Sequence, residues 1–266
     1  MNMNRTSGFR LALTLILALS SLQGAQKSPP PEGTQPLVLT GSIPLPNVQG
    51  RIDHLASDSK GRLFVSALGN NTEEVLDLSA GRRVHSISGV PRPQGVVYVP
   101  ELNKLFVGSD EGKLHIYDAA ALELITSIDF GDDVDNLRYD STRKLVYVAY
   151  GDADGAIGMV DASTNKRLEE EFKLGAHPES FQLEKSGPNL YVNLPELKQI
   201  AAINRKTRAI TRWPVSLESN FPMALDEASH RVFIVTREPA RMAVFDTREA
   251  WLRCAPLCSE LRRPLL

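Results

Sequence analysis

The first 253 of 266 residues contain no cysteine; Cys254 and Cys258 stand alone near the end. A fold built from that stretch cannot depend on disulfides in an oxidising compartment. The two cysteines are spaced C-x₃-C with no second pair or histidine nearby, which argues against structural zinc. Basic excess is missing too. Thirty Lys and Arg face 32 Asp and Glu for a net charge of −2, so the broad positive surface of a nucleic-acid binder is absent. No apolar run reaches the about 20 residues of a membrane-spanning helix. Amphipathic runs of ten or more residues, the mark of helical repeats, are lacking. So are the serine-nucleophile elbow, the P-loop and the dinucleotide fingerprint.

What is present begins with an export-type N-terminus. Arg5 and Arg10 precede "LALTLILAL", Leu11 to Leu19, and small residues come after it. This is the charged, apolar and cleavage order of a signal peptide, expected over 1–25 with cutting after Ser20 or Ala25. No cysteine follows the apolar run, which argues against a lipid anchor. Loss of Arg5 and Arg10 leaves the mature chain near −4. A periplasmic or extracellular location is expected, with no membrane span in the mature chain. "QKSPPPEGTQP" supplies a Pro-rich linker over 26–36.

The rest of the chain repeats. Asp77, Asp118, Asp161, Asn204 and Asp246 each close a short apolar run, at spacings of 41, 43, 43 and 42 residues. A second series, anchored at Leu63, Leu105, Leu145, Leu190 and Val232, precedes it at spacings of 42, 40, 45 and 42. Its segments, such as "RLFVSAL" and "KLVYVAY", are Val- and aromatic-rich and bounded by turn residues, which predicts strands. Each unit reads as four: a strand such as "HLAS" or "VVYV", the anchor strand, the strand ending at Asp or Asn, and a fourth such as "RRVHSI" or "KRLEEEF". Four antiparallel strands per 40–45 residues describe an all-β fold, a β-propeller blade. The Asp or Asn accepts backbone N–H bonds two residues on and holds the following turn.

The "LFV", "VYV" and "LYV" strands and "PQGVVYVP" resemble the YVTN-type propeller repeats of exported bacterial proteins, over roughly residues 37 to 247. WD40 repeats are a poorer likeness, because Leu76, Tyr117, Val160, Ile203 and Phe245 stand where Trp would precede the repeat residue. The resemblance implies a closed ring, typically of seven blades. Five anchors are present, so an incomplete ring is expected. Residues 248–266 match no blade start and read as an aberrant tail from an out-of-frame or truncated end. "LVLTGSIPLP" resembles a fourth strand, and residues 37 to 43 could complete the last blade. An open arc is favoured over a five-blade ring.

The segments leading into each innermost strand should line a central channel. They read "GRIDH", "RPQG", "DDVDN", "AHPES" and "SNFP". Counting back ten or eleven residues from the anchors gives Asp53, Gln94, Asp135 and Glu179, with His54, Asn136, His177 and Asn220 close by. Carboxylates, amides and imidazoles in a ring could hold Ca²⁺ or a transition metal, or a polar solute; alternatively they bond neighbouring backbone at a solvated mouth. His85, His115 and His230 read as structural, and "GDADG" as a hairpin turn, since it lacks the further ligands of a calcium loop.

The leading expectation is an exported, non-catalytic propeller presenting a surface to a protein, a cell-envelope component or a small polar ligand. The alternative is a metal-dependent hydrolase of lactonase type, with Asp53, Asp135 and Glu179 as candidate acid–base groups; the detailed motifs of gluconolactonase-type propellers do not match. A damaged copy without activity is the third reading. A divalent metal in the channel is the one cofactor the pattern admits.

Overall fold

The computed structural model describes residues 38–254. The segments expected to be signal peptide (1–25) and linker (26–36), and residues 255–266 of the tail, lie outside the described residues. The backbone divides after Gly41 into two units. Residues 38–41 of the first unit carry no regular structure, and every described strand belongs to the second, which begins at Ser42.

The second unit is all-β, five antiparallel sheets succeeding one another along the chain. The first holds β1 (Leu55–Ser57), β2 (Arg62–Ala67), β3 (Thr72–Asp77) and β4 (Arg82–Ser88). The second holds β5 (Pro93–Val99), β6 (Lys104–Ser109), β7 (Lys113–Asp118) and β8 (Leu124–Asp129). The third holds β9 (Val134–Asp140), β10 (Leu145–Tyr150) and β11 (Ala156–Asp161), with β12 (Lys166–Arg167) and β13 (Phe172–Lys173) sharing the place of its outermost strand. The fourth holds β14 (Phe181–Leu183), β15 (Asn189–Leu194), β16 (Gln199–Asn204) and β17 (Ile210–Pro214). The fifth holds β18 (Glu218–Asp226), β19 (Arg231–Glu238), β20 (Ala240–Asp246) and β21 (Trp251–Cys254). Strand order within each sheet follows chain order. Among the described residues no helix is long and apolar enough to cross a membrane.

The repeat residues sit at equivalent places. Asp77, Asp118, Asp161, Asn204 and Asp246 are the last residues of the third strands. Asp118 Oδ1 accepts from the N–H groups of Ala120 (2.7 Å) and Ala121 (2.8 Å), and Asn204 Oδ1 from those of Lys206 and Thr207 (3.0 Å each). Asp77 and Asp161 do the same. Only the side-chain oxygen is used, which is why an amide can replace the acid.

Successive sheets are joined by buried apolar clusters. Phe64 and Val75 of the first meet Leu105, Val107 and Tyr117 of the second; Phe106 and Ile116 meet Val146 and Val148. Tyr147 and Ile157 meet Phe181 and Val192, and Tyr191 and Trp213 meet Ile234 and Phe245. A polar staple adds to three joints. Arg62 donates to the Ala119 carbonyl (2.6 Å), Lys104 Nζ to the Ala162 carbonyl and Asn165 Oδ1 (2.7 Å each), and buried Arg205 to Asp140 (2.6 Å). Each ties the foot of one sheet to a turn of the next.

Two expectations change. The fourth strand of the last sheet is not residues 37–43: residues 38–43 form no strand. It is β21, paired with β20 from Asp246↔Trp251 to Ala243↔Cys254. The start of the 248–266 stretch therefore belongs to the fifth sheet. The Asp246 carboxylate, accepting from Arg248 N–H at 3.0 Å, turns the chain there without help from a glycine. "KRLEEEF" is also not one strand, because Glu169, Glu170 and Glu171 interrupt it between β12 and β13.

Candidate functional site

All five innermost strands share one irregularity at their inner end. In β9, Asp135 and Asn136 together oppose one residue, between the pairs Leu137↔Val148 and Val134↔Tyr150. Gln94 and Gly95 do so between Val96↔Val107 and Pro93↔Ser109, and Phe221 and Pro222 between Met223↔Ile234 and Asn220↔Thr236. The first and fourth sheets complete the set through backbone bonds. Ser66 is bonded to both Asp53 and His54, and Asn193 to both Glu179 and Ser180. A two-against-one bulge re-aims side chains that a regular strand would send to opposite faces. Gly95 and Gly108 permit the close approach this requires: a Cβ at Gly95 would stand 2.1 Å from the Asp135 carbonyl oxygen, and one at Gly108 2.5 Å from that of Val134.

Nine of these ten residues, all but Gly95, line a cavity of about 620 Å³. Of the eight sequence candidates, Asp53, His54, Gln94, Asp135, Asn136, His177 and Glu179 line it; Asn220 does not. Asn220 stands one residue before the bulge and is fully buried. Its amide donates to Asn193 Oδ1 (3.0 Å) and the Gln199 carbonyl (3.2 Å). It locks the fourth sheet to the fifth.

Sequence reasoning did not single out Arg51, Arg92, Asp110, Asp133 and Arg237, which also line the cavity. Asp110 and Arg237 lie five residues after the anchors Leu105 and Val232, where the second strand returns to the same end of its sheet. That offset was the available signal. Arg51 donates to Asp53 at 2.6 Å, Arg92 pairs with Asp110, and Gln94 donates to Asp133. The Arg237 guanidinium lies 3.8 Å from the centre of the Phe221 ring, a cation–π contact.

On the floor, Arg138, which can only donate, bonds Asn136 Oδ1 at 2.9 Å. This turns Asn136 Nδ2 toward His54 Nε2, 3.2 Å away, so that nitrogen accepts and carries no proton. The same lone-pair nitrogen is 3.5 Å from Asp135 Oδ1. His177 Nδ1 lies 3.1 Å from the Gly151 carbonyl and must donate to it. Its Nε2 faces Asp135 Oδ2 at 3.9 Å and Glu179 Oε1 at 3.7 Å. Burial, then repulsion from Asp135, pushes the Glu179 carboxyl up to about 7; burial, with Asp135 and Asp110, does the same to Asp133. Burial lowers the His177 imidazole, but Glu179, Asp135 and Asp133 outweigh it and raise it overall. Among the described residues, two groups of three could hold a metal ion: Asp135, His177 and Glu179, and Asp133, Asp152 and His177.

No protein-family model matches the sequence, and no curated protein matches it. Solved structures do. A chain of hydrazine synthase from Kuenenia stuttgartiensis superposes with a TM-score of 0.65 at 14% identity, over 73% of this chain and 64% of that one. A chain of the mitotic checkpoint complex gives 0.63 at 14% identity, over 71% and 60%. The chain thus spans 64% and 60% of the length of these two matches. At such identity the likeness is of fold, and the fold is a β-propeller.

Proposed function

We propose that this protein is an exported, non-catalytic β-propeller of the YVTN type that holds a small, charge-bearing polar ligand in the cavity at its inner strands. The observation that carries this is the cavity wall. All five sheets contribute to it, and it sets five carboxylates (Asp53, Asp110, Asp133, Asp135 and Glu179) against three guanidiniums (Arg51, Arg92 and Arg237). Carboxylates crowded this closely favour an occupant that brings positive charge. The signal-peptide pattern of residues 1–25 supports export, and the "LFV" and "VYV" repeats support the YVTN assignment.

Ligand-observed NMR with a panel of diamines, small amino acids and sugar acids tests the reading. Cationic or zwitterionic members should bind the wild type and lose binding in D53N and E179Q. Binding that is equal in folded variants, or a panel with no binder, overturns it. One observation favours a second reading, metal-assisted hydrolysis of an ester or lactone: ligand-type atoms of Asp135, His177 and Glu179 all lie within 4.8 Å of one another. Hydrolysis of simple lactones that needs a divalent metal and is lost in E179Q would establish that reading in place of the first.

A further inference from the structure

The floor of the cavity presents acceptors with nothing donating to them. Asp135 is 6% exposed, it lines the cavity, and its carboxylate accepts no hydrogen bond from any described residue. A buried carboxylate is ordinarily bonded or paired. Two imidazole nitrogens face it, at 3.5 Å and 3.9 Å, and one of them, His54 Nε2, already accepts from Asn136. The other, His177 Nε2, is the far side of a ring whose Nδ1–H is held by the Gly151 carbonyl at 3.1 Å. A ring N–H fixed on a backbone carbonyl is the outer-shell arrangement of a metal-bound histidine, because it turns the second nitrogen's lone pair toward the ion.

We propose that Asp135, His177 and Glu179 form an open divalent-metal site at the base of the cavity. Its class is Zn²⁺, Co²⁺ or Mn²⁺ rather than Ca²⁺ or Mg²⁺, since one ligand is an imidazole. The separations suit it. Two ligand atoms about 2.1 Å from a tetrahedral ion stand about 3.4 Å apart; the 3.9 Å and 3.7 Å from His177 Nε2 close to that with shifts of a few tenths of an ångström, and the Asp135 and Glu179 ligand atoms lie within 4.8 Å of each other. All three residues line the cavity, which leaves room there for a further ligand. Asp152 is not a ligand: it approaches His177 Nδ1 (3.6 Å), the nitrogen already committed to Gly151. This site rests on the cavity being a binding site, and the ion is the positive charge its crowded acids call for. The rival occupant is a proton on His177 Nε2.

The test uses the full chain, stripped with chelator and titrated with Co²⁺, reading visible d–d absorption and bound metal per chain after dialysis. One equivalent is expected. Affinity should fall at least about 100-fold in D135N, H177Q and E179Q, with unfolding midpoints confirming the fold, and should be kept in D152N. No uptake by the wild type overturns the site in favour of the proton. Loss in D152N with retention in D135N overturns the ligand set. If D135N does not fold, E179Q on the cavity wall decides alone. Repeating the NMR panel in chelator separates the two readings: ligand binding without Co²⁺ uptake sinks only the metal site, whereas loss of both sinks the cavity.

Discussion

Glu73 offers a direct test of how the first two sheets are joined. It lies on β3, paired across to Ser66 on the face that carries Phe64 and Val75 toward the second sheet. Its side chain is fully buried, Oε2 accepts from Ser66 Oγ at 2.9 Å, and Oε1 has no partner. Burial, with a smaller push from Glu74 against the Ser66 bond, raises its carboxyl from 4.5 to about 8. The folded state therefore keeps a proton that the unfolded chain gives up above pH 4.5, and stability falls as pH rises from about 4.5 to 8. At about 1.4 kcal/mol per pH unit the loss at pH 7 is about 3 kcal/mol, as an upper bound. Glu73→Gln cannot ionise and should remove that slope. Urea unfolding at pH 4, 5.5, 7 and 8.5 should find the two proteins' difference shifting in favour of E73Q by up to about 3 kcal/mol between pH 4 and 7. It should level off above pH 8. Parallel pH profiles would refute the buried, protonated carboxyl.

Gly95→Ala should destabilise the protein and weaken binding in the cavity together, because its Cβ meets the Asp135 carbonyl at 2.1 Å; unfolding and Co²⁺ titration of one sample check both. Arg205→Ala removes one of two arginine partners of Asp140, leaving Arg143 at 2.7 Å, and the donor to the Glu184 and Gly187 carbonyls. With two part-buried carbonyls losing their donor it should cost about 1–3 kcal/mol, read by denaturant unfolding. Asp161→Ala frees the N–H groups of Ser163 and Thr164 and should cost about 1 kcal/mol, whereas Asp161→Asn should cost less, as Asn204 implies.

The sheets were legible in the sequence because two signals of different origin agree. Apolar alternation marks strands, and an acceptor at a fixed offset marks the turn after them. Where one signal weakens, the reading slips. The fifth sheet's outer strand was missed because residues 249–266 lack Gly, Asp, Asn and Lys and match no blade start, although the Asp246 carboxylate bonds the Arg248 N–H as its counterparts bond theirs. The split of the third sheet's outer strand was hidden in a charge run that satisfies neither pattern. Pairings such as Lys104 with Asn165 or Arg205 with Asp140 join residues about sixty apart, and no local pattern reports them.

The site was half legible for a more specific reason. Counting back from the anchors finds Asp53, Gln94, Asp135 and Glu179, each the first residue of a bulge; in the fifth repeat the sequence pattern points to Asn220 rather than Phe221, where that bulge begins. A bulge breaks the alternation on which strand reading depends, since two consecutive side chains leave the regular pleat. Hence Asp53 with His54, and Asp135 with Asn136, both line the cavity, while Asn220, one step outside its bulge, turns into the joint between sheets. The same break sets the chemistry. Because neighbouring residues of one strand share the cavity, an imidazole can stand beside a carboxylate from its own chain segment and another from a different sheet, as His54 does with Asp53 and Asp135. A regular propeller strand would offer the cavity only every second residue. Four of the five bulges present consecutive residues, and the second sheet's presents Gln94, which lets a short segment of each repeat carry binding groups while its strands keep the apolar pattern that packs them.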